Sequence, residues 1–319
     1  MIITESRVRT AGLEAAVRAP SPYNTQPWIF EVGPVGVDLF LDEDRVLAVV
    51  DTGGREARLA CGAAILNFRL AVAAAGWAST VELLPDRTRP ELLARLGIGQ
   101  ARCPKAEESR LAAAIPRRFS NRRPFTEAPV PAHARHAVTA AARAEGANLL
   151  LLDESGTLGT VASLVRRADT VQGEDPAFHR ELAEWTSERG GGDGVPAFAG
   201  GPRSAGGLLP VRHHGPDSQP ERPYERDPVI VALTTPSDGP LSQLRAGLAL
   251  QRVLLTATDL GLSASFLSQP IEIAGIRAEL HQLLGAHEHP QSLLRLGYGY
   301  PGSPTPRRPL TAVTRRIPL

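Results

Sequence analysis

Cysteine is scarce in this sequence, which has 319 residues and only Cys61 and Cys103. Two cysteines without a CxxC spacing provide neither a disulfide framework nor the ligand set of a zinc scaffold. Cys61 lies within an apolar run, so we expect it to be a small buried residue. His281, His287 and His289 fit no standard zinc spacing, and no metal site is predicted.

The sequence also lacks an excess of charge of either sign. The 35 basic and 34 acidic residues leave a formal net charge of +1. This balance argues against broad, charge-driven binding to nucleic acid or to anionic lipid, so we expect neither as a partner. Basic residues that do cluster therefore need a local explanation.

Long apolar segments are missing as well. Residues 1–7 include charged side chains and have no apolar core of the kind found in secretory signals. The most apolar stretch, 59–76, is interrupted by Asn67 and Arg69 and is short for a membrane span. The sequence therefore predicts a soluble, cytoplasmic protein.

The predicted elements occur twice in the same order. The chain is long enough for two ordinary domains or one large fused domain. The first copy has a helix at 6–19, a hairpin at 28–32 and 35–41, a long apolar helix at 54–75 and a strand at 80–84. The second copy has a helix at 132–145, strands at 148–152 and 229–234, a long apolar helix at 245–260 and a strand at 263–267. Segments 62–76 and 247–261 align without a gap, which predicts an internal duplication.

An insertion at about 185–227 interrupts the second copy. It contains several glycine pairs and many prolines and has no helical or strand periodicity. A loop of this length inside a compact domain is usually functional or disordered. It is either a lid over a pocket or a surface excursion, and composition favours neither.

A basic cluster at 117–125 reads Arg-Arg-Phe-Ser-Asn-Arg-Arg-Pro-Phe. Arg118, Ser120 and Arg122 place two guanidinium groups and a hydroxyl within five residues. Arginine binds phosphate bidentately and keeps its charge when partly buried. The alternative is a solvated basic loop, but the cluster is isolated in an otherwise neutral chain.

A polar loop at 19–28 reads Ala-Pro-Ser-Pro-Tyr-Asn-Thr-Gln-Pro-Trp. It lies between a predicted helix and a predicted strand. Its hydroxyl and amide groups suit the polar atoms of a ligand, and Trp28 is expected to anchor it in the core. Without further context the segment would be interpreted as a simple turn.

Together these two segments resemble the FMN-dependent nitroreductase superfamily. Its proteins carry an Arg-x-Ser-x-Arg segment followed by Phe and Val-Pro, and an Ala-Pro-Ser-x-x-Asn-x-Gln-Pro-Trp loop. The resemblance implies that the first segment grips the FMN phosphate and that the loop meets the flavin ring and ribityl chain. The candidate residues in these segments are Pro20, Ser21, Pro22, Asn24, Gln26, Arg118, Phe119, Ser120 and Arg122. Because Pro124 adds a residue before Phe125, Arg117 or Arg123 could substitute for one of the two arginines.

Two further segments extend the resemblance. Segment 261–270 is similar to the family's stretch after the central helix, whose backbone amides face the flavin N5 edge, which makes Leu267 and Ser268 candidates. Segment 304–310 resembles a closing tail whose arginine completes the phosphate site. That role is assigned to Arg307, with Arg308 as the alternative.

Each copy lacks the motif that the other keeps. In this respect the chain most resembles the Acg group of single-chain nitroreductase-like proteins. The implied fold is α+β, an internally duplicated pseudo-dimer with central long helices and a lid-like insertion. Its halves would be 1–112 and 113–319, holding one FMN between them. Because the ancestral interface would be internal, we expect a monomer or a weak homodimer.

The implied function is an FMN-binding oxidoreductase that uses NAD(P)H to reduce a nitro- or quinone-like small molecule. Since the flavin carries the redox chemistry, no catalytic side chain is assigned. One alternative is a flavin-sequestering protein whose lid blocks the flavin face. The other is a cofactor-free pseudoenzyme, which would require an empty phosphate site.

Overall fold

The computed structural model of this chain describes residues 4–34, 36–152, 155–187, 192–205, 209–214 and 221–316. Its first part combines three helices with four strands. In chain order these are α1 (Glu5–Ala16), β1 (Trp28–Val32), β2 (Gly36–Leu41), α2 (Arg55–Ala74), β3 (Trp77–Leu83), β4 (Leu92–Ala101) and α3 (Ala106–Ala114).

The second part begins with α4 and includes the insertion. Its elements are α4 (Ala132–Arg143), β5 (Asn148–Leu151), α5 (Ser155–Gly173), α6 (Pro176–Glu184), β6 (Thr186–Ser187), β7 (Val195–Pro196), β8 (Arg203–Ser204), β9 (Glu221–Arg222), β10 (Val229–Thr235), α7 (Pro240–Asp259), β11 (Ser263–Phe266), α8 (Gln269–Glu272), α9 (Ala274–Leu283), β12 (His289–Gly297), α10 (Leu310–Val313) and β13 (Thr314–Arg316).

Two main sheets organise these elements, which confirms the predicted α+β class. The first has the order β13-β1-β2-β4-β3, and the second has the order β11-β12-β10-β5. Within these two sheets, neighbouring strands are antiparallel except β13 and β1, which run parallel with Phe30 opposite Thr314. The C-terminal segment therefore crosses from the second sheet to the edge of the first.

The two long helices α2 and α7 pack against each other at the centre through a reciprocal glycine contact. A Cβ atom on Gly62 would overlap the carbonyl oxygen of Leu244, and one on Gly247 would overlap that of Leu59. Gly62 and Gly247 are the residues that the predicted duplication aligns with each other. The contact has the reciprocity of an interface across a twofold axis.

Helix α2 is a core helix. Among the described residues it is the one helix long and apolar enough to cross a membrane, but most of it is buried inside the protein. Its polar residue Asn67 receives a hydrogen bond from Gln251 of α7 (2.7 Å) and donates one to the Ala15 carbonyl (3.0 Å). Cys61 is fully buried, as predicted. The polar side chain of Asn67 is thus hydrogen-bonded inside the apolar core.

The insertion has little regular structure in its described part. Between α6 and β10 the described residues form the two-residue pairs β6–β7 and β8–β9 and one 3-10 turn at Ala197–Ala199. The predicted lid also includes residues 188–191, 206–208 and 215–220, which lie outside the described part, as does Val35 of the predicted second strand.

Candidate functional site

A cavity of about 830 Å³, part of it open to solvent, is lined by residues from both the first and the second part of the chain. Its wall includes the loop before β1, the start of α2, the basic cluster, the insertion and the region after β11. The lining residues are Pro20, Ser21, Pro22, Tyr23, Glu56, Leu59, Ala60, Ser120, Arg122, Val211, Arg212, His214, Leu250, Ser265, Phe266, Ser268, Glu272, Gln291 and Ser292.

The loop at 20–26 holds an unusual backbone conformation. Tyr23, Asn24 and Gln26 have φ angles of 47°, 58° and 54°, in the left-handed region. Such conformations cost on the order of 1–3 kcal/mol each for residues other than glycine and persist only where surrounding contacts impose them. One such contact is the Ser21 hydroxyl, which accepts a hydrogen bond from the Gln26 amide at 2.9 Å. The loop is therefore a fixed part of the cavity wall.

Asn24 holds this loop in place from behind. Its Nδ2 donates to the carbonyls of Gly194 (2.9 Å) and Pro306 (3.1 Å), and its Oδ1 accepts from Arg307 Nη1 (2.9 Å). The side chain is buried and does not line the cavity. Asn24 thus ties the loop to the insertion and to the C-terminal tail.

Gln26 and Arg308 also lie behind the cavity wall. The Gln26 Nε2 donates to the Gly192 carbonyl (2.8 Å), and its Oε1 accepts from the Arg308 amide (2.9 Å). The Arg308 guanidinium lies 3.6 Å from the Asp42 carboxylate. Of the two tail arginines, Arg308 is therefore paired with a carboxylate, whereas Arg307 contacts Asn24.

Arg118 is a buried cation with almost no partners. Its side chain makes one long hydrogen bond, from Nη2 to the Arg18 carbonyl (3.4 Å), and its Nε and Nη1 have no partner. Burial, together with the nearby charges of Arg307 and Arg122, lowers the pKa of Arg118 to about 9. An anion at this position would oppose that shift, because a nearby opposite charge favours the charged form of arginine.

Arg122 and Arg307 likewise have lowered pKa values, although Arg307 is hydrogen-bonded to several carbonyl, amide and hydroxyl oxygens. Burial, with Arg212 nearby, lowers the pKa of Arg122 to about 10, and its Nη1 donates to the Ala199 carbonyl (3.3 Å). Burial and neighbouring cations also lower the pKa of Arg307 to about 10. Among the described residues no carboxylate forms an ion pair with Arg118, Arg122 or Arg307. We call these three residues the arginine trio, and three guanidinium groups without a carboxylate partner fit a phosphate group.

The neighbouring arginines point elsewhere. Arg117 is largely exposed and lies 3.9 Å from Asp259. Arg123 is also exposed. The alternation along the segment therefore places Arg118 and Arg122 inside and their two neighbours outside.

The remaining predicted residues differ in whether they line the cavity. Ser120 and Ser268 line the cavity, and Ser120 forms a single β-bridge with Ala264. Phe119 borders a small cleft beside the cavity instead of the cavity itself. Leu267 is fully buried in the core, and its amide donates to the Leu293 carbonyl (3.0 Å), so the structure does not turn this residue toward the cavity.

The insertion contributes Arg212, which the sequence did not single out. Its guanidinium donates to both oxygens of Glu272, at 2.8 and 2.6 Å, and lies over the rings of Tyr23 (5.4 Å) and Phe178 (5.2 Å). Burial alone would lower the pKa of Arg212, but the Glu272 carboxylate outweighs this effect and raises it. We call this ion pair the Arg212 latch, because it fixes the insertion to the cavity wall.

His214 follows Arg212 along the same wall. Its ring stands edge-on to Tyr23 at 5.4 Å and is buried. Burial, followed by the charges of Arg122 and Arg212, holds the pKa of His214 well below its ordinary value. The imidazole is therefore neutral in the physiological range.

Glu56 is a second lining residue that the sequence gave no reason to select. It is the second residue of α2 and accepts a hydrogen bond from Arg55 at 2.8 Å. Burial first, and then the neighbouring Glu272 and Asp51, raise the pKa of Glu56 to about 8, although Arg55 opposes the shift. No sequence motif identified Glu56, because a single acidic residue in the first turn of a helix is common.

Comparison with known proteins places this geometry in a family. The model of the nitroreductase family matches residues 220–298. The Mycobacterium tuberculosis protein named "Putative NAD(P)H nitroreductase Rv3131" is 39% identical over 315 residues, which cover 96% of this chain and 90% of that protein. "Putative NAD(P)H nitroreductase acg" of the same organism is 33% identical, with 98% and 96% covered.

Solved structures include more distant matches. The FMN-bound nitroreductase of Bacteroides fragilis is 16% identical, with a TM-score of 0.39, over 62% of this chain and 93% of that one. Iodotyrosine deiodinase bound to FMN and 3-iodo-L-tyrosine is 15% identical, with a TM-score of 0.42, over 62% and 95%. Because the mycobacterial relatives match almost from end to end at 33–39% identity, the chain belongs to the nitroreductase family.

Proposed function

We propose that this protein binds FMN in the cavity between its halves and uses NAD(P)H to reduce a nitro- or quinone-like acceptor. The observation that carries the proposal is the arginine trio, whose buried charges have no carboxylate partner among the described residues. The names of the mycobacterial relatives support NAD(P)H as the electron donor.

Each part of the wall has a role in this proposal. The arginine trio, with the Ser120 hydroxyl, would hold the FMN phosphate, and the strained loop from Ser21 to Tyr23 would meet the rest of the cofactor. Bound FMN supplies the redox chemistry, while the protein binds it, orients it and excludes water. The predicted halves, divided near residue 112, each provide part of the wall, which supports one FMN per chain. We expect the protein to be cytoplasmic and to be a monomer or a weak homodimer.

Sequestration of FMN is the second candidate. Val211, Arg212 and His214 of the insertion line the cavity, and the Arg212 latch fixes this segment to Glu272. An insertion held there would restrict the space in which a nicotinamide could stack. In that case the protein would retain FMN without turning it over.

Two measurements test these candidates in sequence. Purified protein is mixed with FMN and passed through a desalting column, and retained flavin absorbance is recorded. A colourless protein fraction would contradict both candidates. The yellow protein is then mixed with NADH or NADPH without oxygen. Bleaching supports the reductase, and persistent colour supports sequestration.

A further inference from the structure

Two carboxyl groups line the cavity, and they differ in how they are bonded. Glu272 of α8 is saturated: Arg212 donates to both of its oxygens, and Gln172 donates to Oε2 at 2.6 Å. Its side chain is only 1% exposed. Both oxygens of Glu272 are therefore occupied by hydrogen bonds within the Arg212 latch, which leaves little capacity for a ligand.

Glu56 of α2 has one oxygen fixed and one free. Arg55 Nη2 donates to its Oε1 at 2.8 Å, whereas Oε2 has no hydrogen bond to any described residue. The side chain lines the cavity and is 14% exposed. Arg55 is fixed in turn through Nη1, which donates to the Gln291 carbonyl at 2.7 Å. The free oxygen is thus offered to the cavity by a rigid support.

The groups around Glu56 come from several elements. Arg55 is its neighbour on α2, Asp51 caps that helix, Glu272 faces it from α8, and Arg212 reaches it from the insertion. Burial and the two carboxylates outweigh the two cations, so the pKa of Glu56 is about 8.

We propose that Glu56 is the proton donor to an electron acceptor bound in the cavity, with Arg55 as its positioning residue. This inference rests on the proposed function and names its acceptors as quinones, whose oxygen atoms must gain protons when they are reduced. The reduced cofactor supplies two electrons and one proton. The Glu56 Oε2–H bond breaks and an O–H bond forms on the quinone oxygen, which completes the hydroquinone. Water then returns a proton to the carboxylate.

The protonation state of Glu56 can be measured without any cofactor. Apoprotein labelled with ¹³C at the glutamate carboxyl carbons is titrated by NMR from about pH 3 to about pH 10. One carboxyl signal is expected to titrate near pH 8, whereas an unperturbed glutamate has a pKa of about 4.3. The signal should be absent from Glu56→Gln and present in the control Glu279→Gln, which alters an exposed ion pair with Arg167. If no glutamate of the wild-type protein titrates above about pH 6, the proposal is overturned, even if the variant does not fold.

The chemical role is tested by the reaction of reduced protein with quinone. FMN-loaded protein is reduced with dithionite and mixed with a naphthoquinone in a stopped-flow instrument across the same pH range. The wild-type rate should fall as pH rises through about 8, because only protonated Glu56 donates. Glu56→Gln should react about 100-fold more slowly and lose this pH dependence, while its FMN affinity and the Glu279→Gln rate stay at wild-type values.

The outcomes separate the two proposals. A Glu56→Gln rate within about twofold of wild type, with the same pH dependence, would overturn the role of Glu56. Dithionite bypasses NAD(P)H, so wild-type protein that NAD(P)H cannot bleach would contradict only the proposed reductase. The effect of Glu56→Gln on quinone reduction would still be measured.

Discussion

The arginine trio shows how single residues can indicate a ligand, because none of the three has a carboxylate partner among the described residues. Buried arginines usually pair with carboxylates, because an isolated buried charge is costly. Within the described part of the chain, Arg118 and Arg122 instead donate hydrogen bonds to carbonyl oxygens, and Arg307 contacts carbonyl, hydroxyl and amide oxygens. In the free protein the three guanidinium groups therefore repel one another, and a bound phosphate would offset this repulsion.

Arg118→Ala should weaken FMN binding strongly. A hydrogen bond to a charged group contributes about 1.5–3 kcal/mol, so the Kd should rise roughly ten- to hundredfold. Fluorescence titration of apoprotein with FMN measures this change. The matched control is Arg117→Ala, whose exposed side chain faces Asp259. Equal losses in both variants would show that Arg118 has no special role.

The same substitution should behave differently when no ligand is bound. Because Arg118 is buried beside two other cations, its removal should leave the apoprotein Tm unchanged or raised. Inorganic phosphate should raise the wild-type Tm and have less effect on Arg118→Ala. A large fall in apoprotein Tm would mean that Arg118 is a structural residue.

At the scale of elements, some signals in the sequence were strong. The strand prediction at 28–32 matches β1, and the apolar helix predictions at 54–75 and 245–260 correspond to α2 and α7. Helix α7 begins earlier than expected, at Pro240, because proline is well suited to the first turn of a helix. Long buried helices are predictable because their apolar content exceeds anything that a loop would carry.

Other elements left a weak signal. Strand β4 carries Gly97 and Gly99, which lower strand propensity. Gly97 is nevertheless required, because a Cβ atom there would overlap the Thr80 hydroxyl on β3. Arg212 and His214 reach the cavity from an irregular segment, where position depends on tertiary contacts alone. No local pattern in the sequence could have found them.

The close packing of α2 and α7 predicts a costly substitution. Gly62→Ala would force the helices apart at the Leu244 carbonyl, and overpacking of this kind costs about 1–3 kcal/mol. Gly159→Ala on α5 is the control, because its added methyl group meets nothing within 4 Å. Removing a glycine from the inside of a helix should stabilise that variant by about 0.5–1 kcal/mol. Urea denaturation measures both, and a Gly62→Ala variant as stable as wild type would contradict the close contact.

The Arg212 latch predicts how the insertion is held. Arg212→Ala removes two hydrogen bonds to Glu272 and two contacts with aromatic rings, so the insertion should open more often. Limited proteolysis within 192–205 should then be faster than in wild type. Arg167→Ala, which breaks an exposed pair with Glu279, is the control. Unchanged cleavage would show that other contacts hold the segment.

At the scale of the whole molecule, the duplication predicts a stoichiometry. The arginine trio occurs once, because only one copy carries the basic cluster and the tail supplies Arg307. We therefore expect one FMN per 34.0 kDa chain. Light scattering with simultaneous absorbance detection gives mass and flavin content together. Two FMN per chain, or one per dimer, would contradict the predicted pocket.

The parallel pairing of β13 with β1 also affects how the protein is made. Residues 314–316 complete the edge of the first sheet, and Arg307 just before them belongs to the arginine trio. During synthesis β1 is therefore made well before its partner strand β13, which lies about 280 residues later in the sequence. Because the proposed cofactor site includes Arg307, we expect FMN loading to follow synthesis of this tail.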